Sequence, residues 1–190
     1  MQNKTKKITG YRDRALEKRL GLKNVIFINV TGSITKKLMD SVWEEIKKFR
    51  SKNPRQWFCL VITTNGGDWD PARNFYSLTR LHKINLTTLA VDEINSAGIT
   101  LLLSGKKRFS QAETEFMDHD VTQETEEKTI RGIHSHLSDM HLAKRVSRRI
   151  VAKNTNLGTA EVEKMYDDND EIYFDAYEAK KMGFVHAILE

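Results

Sequence analysis

One serine and one histidine in this 190-residue chain, residue types that together can split an acyl bond, stand at the ends of predicted elements. Ser96 precedes Ala97-Gly98 and an apolar run to Leu103. His119 follows Phe116-Met117-Asp118, 23 residues later. A serine hydroxyl becomes a nucleophile when a base takes its proton, and a carboxylate that orients the base completes the set. The cluster Asp167-Asp168-Asn169-Asp170-Glu171 offers that carboxylate. Acyl transfer also needs backbone donors where the oxyanion develops, and Gly67 (or Gly66) together with the Ala97 amide could supply them.

Each of these residues also has an ordinary structural explanation. A serine before a helix can cap it or be a small residue in a tight turn. Gly66-Gly67 can be a plain strand-to-helix turn, and a histidine between Asp118 and Asp120 can be solvated or structural. The acidic cluster invites calcium but lacks the glycine and terminal glutamate of an EF-hand loop. His134, His136 and His141 invite zinc, yet no cysteine accompanies them and they are not spaced by three or four along one helix face.

The elements that must position these groups are legible as periodicity. Residues 24–30 and 57–63 are β-rich apolar runs of the kind found inside a parallel sheet. Between them, Leu38, Met39, Val42, Trp43, Ile46 and Phe49 make one face of a helix over 35–50. A second helix is predicted over 71–82, capped by Asp70 with Pro71 first, burying Ala72, Phe75, Leu78 and Leu81. Residues 86–105 read as a buried strand, a short turn and an apolar helix. Short strands follow at 107–111 and 114–117. A long helix spans 126–154, where Ile130, Ile133, Leu137 and Met140 form a narrow seam suited to helix contact. Its second half, with Lys144, Arg145, Arg148, Arg149 and Lys153, reads as a solvated or interfacial face. A helix turn over 161–165 and a strand over 172–174 come next. Asp175 with Glu178 starts a capped helix that Gly183 closes, and 184–189 is a last strand.

Composition fits one soluble globular domain, with 39% hydrophobic and 30% charged residues. The formal charge of +5 belongs to the N-terminus, where residues 1–23 carry eight basic and two acidic side chains. They are expected to form a basic arm that is solvated or touches a subunit, ahead of a single domain over 24–190. No aromatic-studded basic groove supports nucleic-acid binding. No apolar stretch reaches membrane length, no secretory signal is legible, and Cys59 is the only cysteine. A cytoplasmic location is the expectation.

In order and approximate spacing these motifs resemble the proteolytic subunit of the Clp ATP-dependent proteases (ClpP), from about residue 24 onward. Thr64-Asn65-Gly66-Gly67 resembles that family's Ser-Pro-Gly-Gly turn, which gives an oxyanion-hole amide. Ser96-Ala97-Gly98 with Leu101-Leu102-Leu103-Ser104-Gly105 is similar to its Ala-Ser-Met-Gly-Ala nucleophile block. Phe116-Met117-Asp118-His119 is similar to its Met-Ile-His strand end, and the run from Tyr173 to Val185 to its Phe-x-Ser-Ala-x-Glu-Ala-x-x-Tyr-Gly-Leu-Val. Registering on that tail without a gap puts the triad acid at Glu171; one inserted residue puts it at Asp170.

The resemblance implies a crotonase-like α/β spiral of β-β-α units with the long helix as a protruding handle. It implies a serine endopeptidase with Ser96 as nucleophile, His119 as base and Glu171 as orienting acid, needing no cofactor and no metal. It further implies a homo-oligomer of heptameric rings stacked to a tetradecamer, fed unfolded protein by a hexameric AAA+ unfoldase. The chain departs from the family at Asp92-Glu93-Ile94-Asn95, at Asn65, after His119, and at Asp170, where the family carries an arginine. Those departures keep a catalytically silent ring subunit as the alternative, and a crotonase-type acyl-CoA enzyme behind it.

Overall fold

Alternate strand residues enter two separate cores, which is why the apolar runs are continuous rather than broken by polar positions. The computed structural model describes residues 8–122 and 129–190. In β1 (Val25–Thr31), Ile26, Ile28 and Val30 face the main core, while Val25 and Phe27 face the other side. β2 (Trp57–Thr64) repeats the division with Phe58, Leu60 and Ile62 against Cys59. Burial pushes the Cys59 thiol up to about 12, so it serves as a small apolar residue.

The second core is roofed by the described part of the basic N-terminal segment. Tyr11 pairs with Phe27 through two backbone hydrogen bonds of 2.9 Å. A helix, α1 (Arg14–Arg19), starts at Asp13, whose carboxylate accepts from the Leu16 amide. Leu16, Leu20 and Leu22 pack onto the sheet. From Tyr11 onward the segment read as an arm therefore lies on the domain, because apolar residues are spaced among its cations.

Thr35 caps α2 (Lys36–Arg50), which buries Met39, Val42 and Ile46. The next helix, α3 (Trp69–Leu81), begins earlier than the Asp70-Pro71 signal predicts. Its cap position is Asp68, and Asp70 instead pairs with Arg73 at 3.1 Å. Pro71 is tolerated because the amides of the first turn have no helical acceptor in any case. The inner face is Ala72, Phe75, Tyr76 and Thr79, spaced by three and four; Leu81, predicted to be buried, is 74% exposed.

β3 (Asn85–Asn95) is longer than expected and runs straight to the serine without an intervening turn. Its first half lies between β2 and β4 (Lys107–Gln111). Asp92 then adopts a φ of 67°, the register against β2 shifts, and residues 93–95 pair with β5 (Glu115–Asp118). Directly after it, α4 (Ala97–Leu102) is wholly buried. Among the described residues the sheet has seven strands, in the order β1-β2-β3-β4-β7 (Ala187–Leu189), with β5 beside β3 and β6 (Ile172–Asp175) beside β5.

α5 (Ile130–Asn154) has 25 residues and is ~37 Å long. Residues 126–128 of its predicted start lie outside the described ones. Ile130, Ile133, Leu137 and Leu142 are exposed along its first part, while Ile150 and Val151 anchor its end in the core. α6 (Thr159–Asp167), β6 (Ile172–Asp175), α7 (Ala176–Met182) and β7 (Ala187–Leu189) complete the mixed α/β unit. The Asp175–Glu178 capping box and the left-handed Gly183 (φ 85°) form as the sequence predicts. The last strand is shorter than expected because Phe184 and Val185 fill the core before it. Buried Arg108 ties the end of the chain down, donating to the carbonyls of Gly105, Asn154, Gly183 and Phe184.

Candidate active site

Ser96 occupies the joint between β3 and α4, with φ 53° and ψ −119°. A non-glycine residue seldom holds a positive φ, and doing so costs of order 1–3 kcal/mol. The side chain makes no cap hydrogen bond, so the capping explanation does not apply. The Ser96 amide donates to the Met117 carbonyl at 2.7 Å, tying the serine to β5. Gly98 lets the turn close: a Cβ there would lie 2.5 Å from Thr64 Cγ2.

The paired glycines lie against this turn. A Cβ on Gly66 would stand 2.9 Å from Ser96 Cβ, and one on Gly67 would stand 2.4 Å from the Ile34 carbonyl oxygen. Both have positive φ, 99° and 131°. The Gly66 amide donates to Thr64 Oγ1 at 3.1 Å. The bridge to Ile34 uses the Gly66 carbonyl and the Asp68 amide, which leaves the Gly67 amide outside these bonds.

His119 follows β5 immediately. Its Nδ1 lies 2.6 Å from the Asp120 carbonyl oxygen. A carbonyl only accepts, so Nδ1 carries the proton in this contact and the Nε2 lone pair is left for a substrate or nucleophile. Ser96 and His119 make no direct hydrogen bond to each other. They line one cavity of about 640 Å³ together with Gly67, Ala97 and Asp118. Trp69, Ile99, Leu142 and Val146 supply apolar wall to the same space, and Asp68, Asp70 and Asp139 add carboxylates. Trp69 is fixed by its indole N–H, which donates to Thr100 Oγ1 at 3.2 Å.

The carboxylates flanking His119 are held in opposite ways. Asp118 is buried, accepting from the His119 amide at 3.0 Å and from the Tyr166 hydroxyl at 2.5 Å. Burial pushes it up to about 7 in spite of those donors. Asp120 is gripped by Arg148 through two bonds, Nε to Oδ1 at 3.0 Å and Nη2 to Oδ2 at 2.7 Å, and by Lys144 at 3.2 Å. Partial burial alone would raise its pKa, but these cations hold it below the usual carboxylate range. Arg148 also donates to Glu163 and to Asp167 and lies over the Tyr166 ring, 5.3 Å from its centroid.

Glu171 and Asp170 do not line the cavity shared by Ser96 and His119. Both are exposed, and Glu171 accepts from the Tyr173 hydroxyl at 2.7 Å. The β5–β6 ladder is antiparallel and ends at the pair Asp118–Ile172. His134 and His141 are exposed on α5, and among the described residues no group of three His, Cys, Asp or Glu is placed to hold a metal ion. Arg148 and Tyr166 are not legible in the sequence as site residues. The basic half of α5 reads as a solvated or interfacial face, and only the tertiary fold turns Arg148 inward onto Asp120, 28 residues earlier.

A family model described as Clp protease matches residues 11–190. The chain belongs to the Clp protease family. It is a ClpP-like proteolytic subunit, 23% identical over 180 residues to the ATP-dependent Clp protease proteolytic subunit 2 of Borreliella burgdorferi, covering 94% of this chain and 88% of that one. The protein of the same name from Treponema pallidum is 21% identical over 169 residues, covering 86% and 81%. The fold matches a ClpP1 mutant from Listeria monocytogenes with a TM-score of 0.76 at 20% identity, over 92% of this chain and 96% of that one. Among the described residues, no helix of this Clp protease subunit is long and apolar enough to cross a membrane.

Proposed function

We propose that the chain is a serine endopeptidase. Ser96 attacks the scissile carbonyl, His119 takes its proton and returns it to the leaving amine, and the Gly67 and Ala97 amides receive the oxyanion. The observation that carries this reading is the strained Ser96 joint opening on the same cavity as His119 and the Gly67 turn. Glu171 is proposed as the carboxylate that offsets the imidazolium charge. The β5–β6 ladder ends at the pair Asp118–Ile172, and His119 and Glu171 are the next residues on its two sides, which supports this assignment. Asp170 follows one residue further out, on the side opposite Asp120.

Assembly into heptameric rings stacked as a tetradecamer, served by a hexameric AAA+ unfoldase, goes with this reading. The exposed apolar residues of α5 suit such contacts. The second reading is a silent ring subunit. It is favoured by the missing Ser96–His119 hydrogen bond and by the engagement of Glu171 with Tyr173.

Intact mass after a fluorophosphonate probe, on material shown by light scattering to be assembled, separates the two. One adduct in the wild type and none in Ser96→Ala is the expected result. An assembled wild type that takes up no adduct would establish the silent subunit.

A further inference from the structure

We infer that Arg148 is a positioning residue for His119, acting through the Asp120 main chain. The imidazole has one fixed contact, Nδ1–H to the Asp120 carbonyl at 2.6 Å. A carbonyl orients a ring only as firmly as its own peptide is held. Asp120 belongs to no strand, lying two residues past the end of β5, so its main chain has no ladder to fix it. What fixes it is its side chain. Arg148 grips both carboxylate oxygens in the planar two-point geometry that a lysine cannot reproduce.

Arg148 is in turn hard to move. Its side chain is 11% exposed, its third nitrogen is shared by Glu163 and Asp167 of α6, and its plane lies over Tyr166. Tyr166 reaches back to Asp118 on the other side of His119, so α5 and α6 hold the histidine turn from both flanks. Through this chain of contacts the handle helix and α6 set which imidazole nitrogen bears the proton. The Asp120 carbonyl thereby orients the base, and Glu171 contributes charge compensation rather than orientation. This inference rests on the Ser96–His119 reading for its catalytic consequence, but the protonation of the ring can be observed without any turnover.

The test uses the full-length, assembled protein. Histidine-selective 15N spectra report the tautomer, with His119 assigned by its absence in His119→Gln. The wild type is expected to show Nδ1 protonated, and Arg148→Ala to lose that preference. On a fluorogenic peptide, Arg148→Ala and Asp120→Ala are each expected to lower kcat by about 10–100-fold, the usual cost of removing an orienting partner, with KM little changed. The double variant is expected to be no slower than either single, since both remove one contact. Arg148→Lys should recover only part of the loss.

Asp120→Ala retains the carbonyl and spares Arg148's contacts with α6, so it serves if Arg148→Ala does not fold. The inference is overturned by an Nε2-protonated His119 in the wild type. It is equally overturned by wild-type kcat in both single variants, or by losses that add in the double. A drop of more than about 1,000-fold in Glu171→Gln alongside silent Arg148 variants would return orientation to the triad acid. If the wild type neither hydrolyses peptide nor takes up the fluorophosphonate, the Ser96–His119 reading fails, and the tautomer measurement still decides the role of Arg148.

Discussion

The two halves of the candidate site are built from different materials. Around Ser96 the geometry is set by main chain: a positive φ at the serine, two glycines at positive φ beside it, and Gly98 pressed on Thr64. Around His119 it is set by side chains that carry or lose charge: Asp118, Asp120, Lys144, Arg148 and Tyr166. The nucleophile end therefore resists solvent conditions and tolerates almost no substitution. The base end tolerates more substitution but answers to pH and salt.

The sharpest way to break this contrast is at Gly67. In Gly67→Ala the new methyl would lie 2.4 Å from one backbone atom of Ile34 and 2.7 Å from another, at a φ of 131°. The Gly67 amide, proposed above as an oxyanion donor, would be displaced, with an expected loss of ~100-fold or more in kcat. Calorimetry should show Tm lower by about 10 °C, on the scale of 2–4 °C per kcal/mol for a chain of this size. A variant with unchanged Tm and kcat would show that the turn is not backbone-determined.

A smaller effect is expected on the other side. Tyr166→Phe removes the donor to Asp118 Oδ2 and leaves a buried acceptor unpaired, costing about 1–3 kcal/mol in urea unfolding. No loss would mean that the Asp118 proton, rather than the tyrosine, satisfies the site.

The pH dependence follows with a definite sign. Asp118 titrates at about 7 when folded, against about 3.9 for an unfolded aspartate. The folded state therefore holds the extra proton between those values, and stability falls as pH rises from about 4 to about 7. Asp118→Asn should flatten that stretch of the Tm–pH curve. Asp120 acts oppositely, since its depressed pKa contributes stability that is lost as pH falls into the carboxylate range. A wild-type curve rising steadily from pH 4 to 7 would contradict the assignment to Asp118.

The smallest effect is that of salt. Raising NaCl from 0.1 to 1 M shortens the screening length from about 10 to about 3 Å. Arg148 is 11% exposed and pairs directly with Asp120, so peptide hydrolysis should slow by less than about threefold. A tenfold loss would show that the pair is open to solvent.

The sequence was most informative where one residue's own conformation decides the structure. The continuous apolar strand runs, the Asp175 cap, left-handed Gly183 and the placement of Ser96 at a strand–helix joint are all local signals. It was least informative where partners are distant. Nothing in the spacing distinguishes Arg148, which turns inward, from Arg149, which stays exposed. Leu81 was misplaced because, nine residues after Ala72 on a helix of 3.6 residues per turn, it stands half a turn away from it, and Asp70 because α3 already starts at Trp69. The register that ends the ladder one residue short of Glu171 depends on β5 and β6, which are more than 50 residues apart.

The bond from the Ser96 amide to the Met117 carbonyl has a mechanical consequence. Ser96 is tethered to the strand that carries His119 two residues further on. A displacement of β5 would carry both groups as one body, preserving their separation while changing their position relative to the glycine turn. Any force that shifts β5 would therefore move both side chains against the Gly66–Gly67 turn before it parted Ser96 from His119.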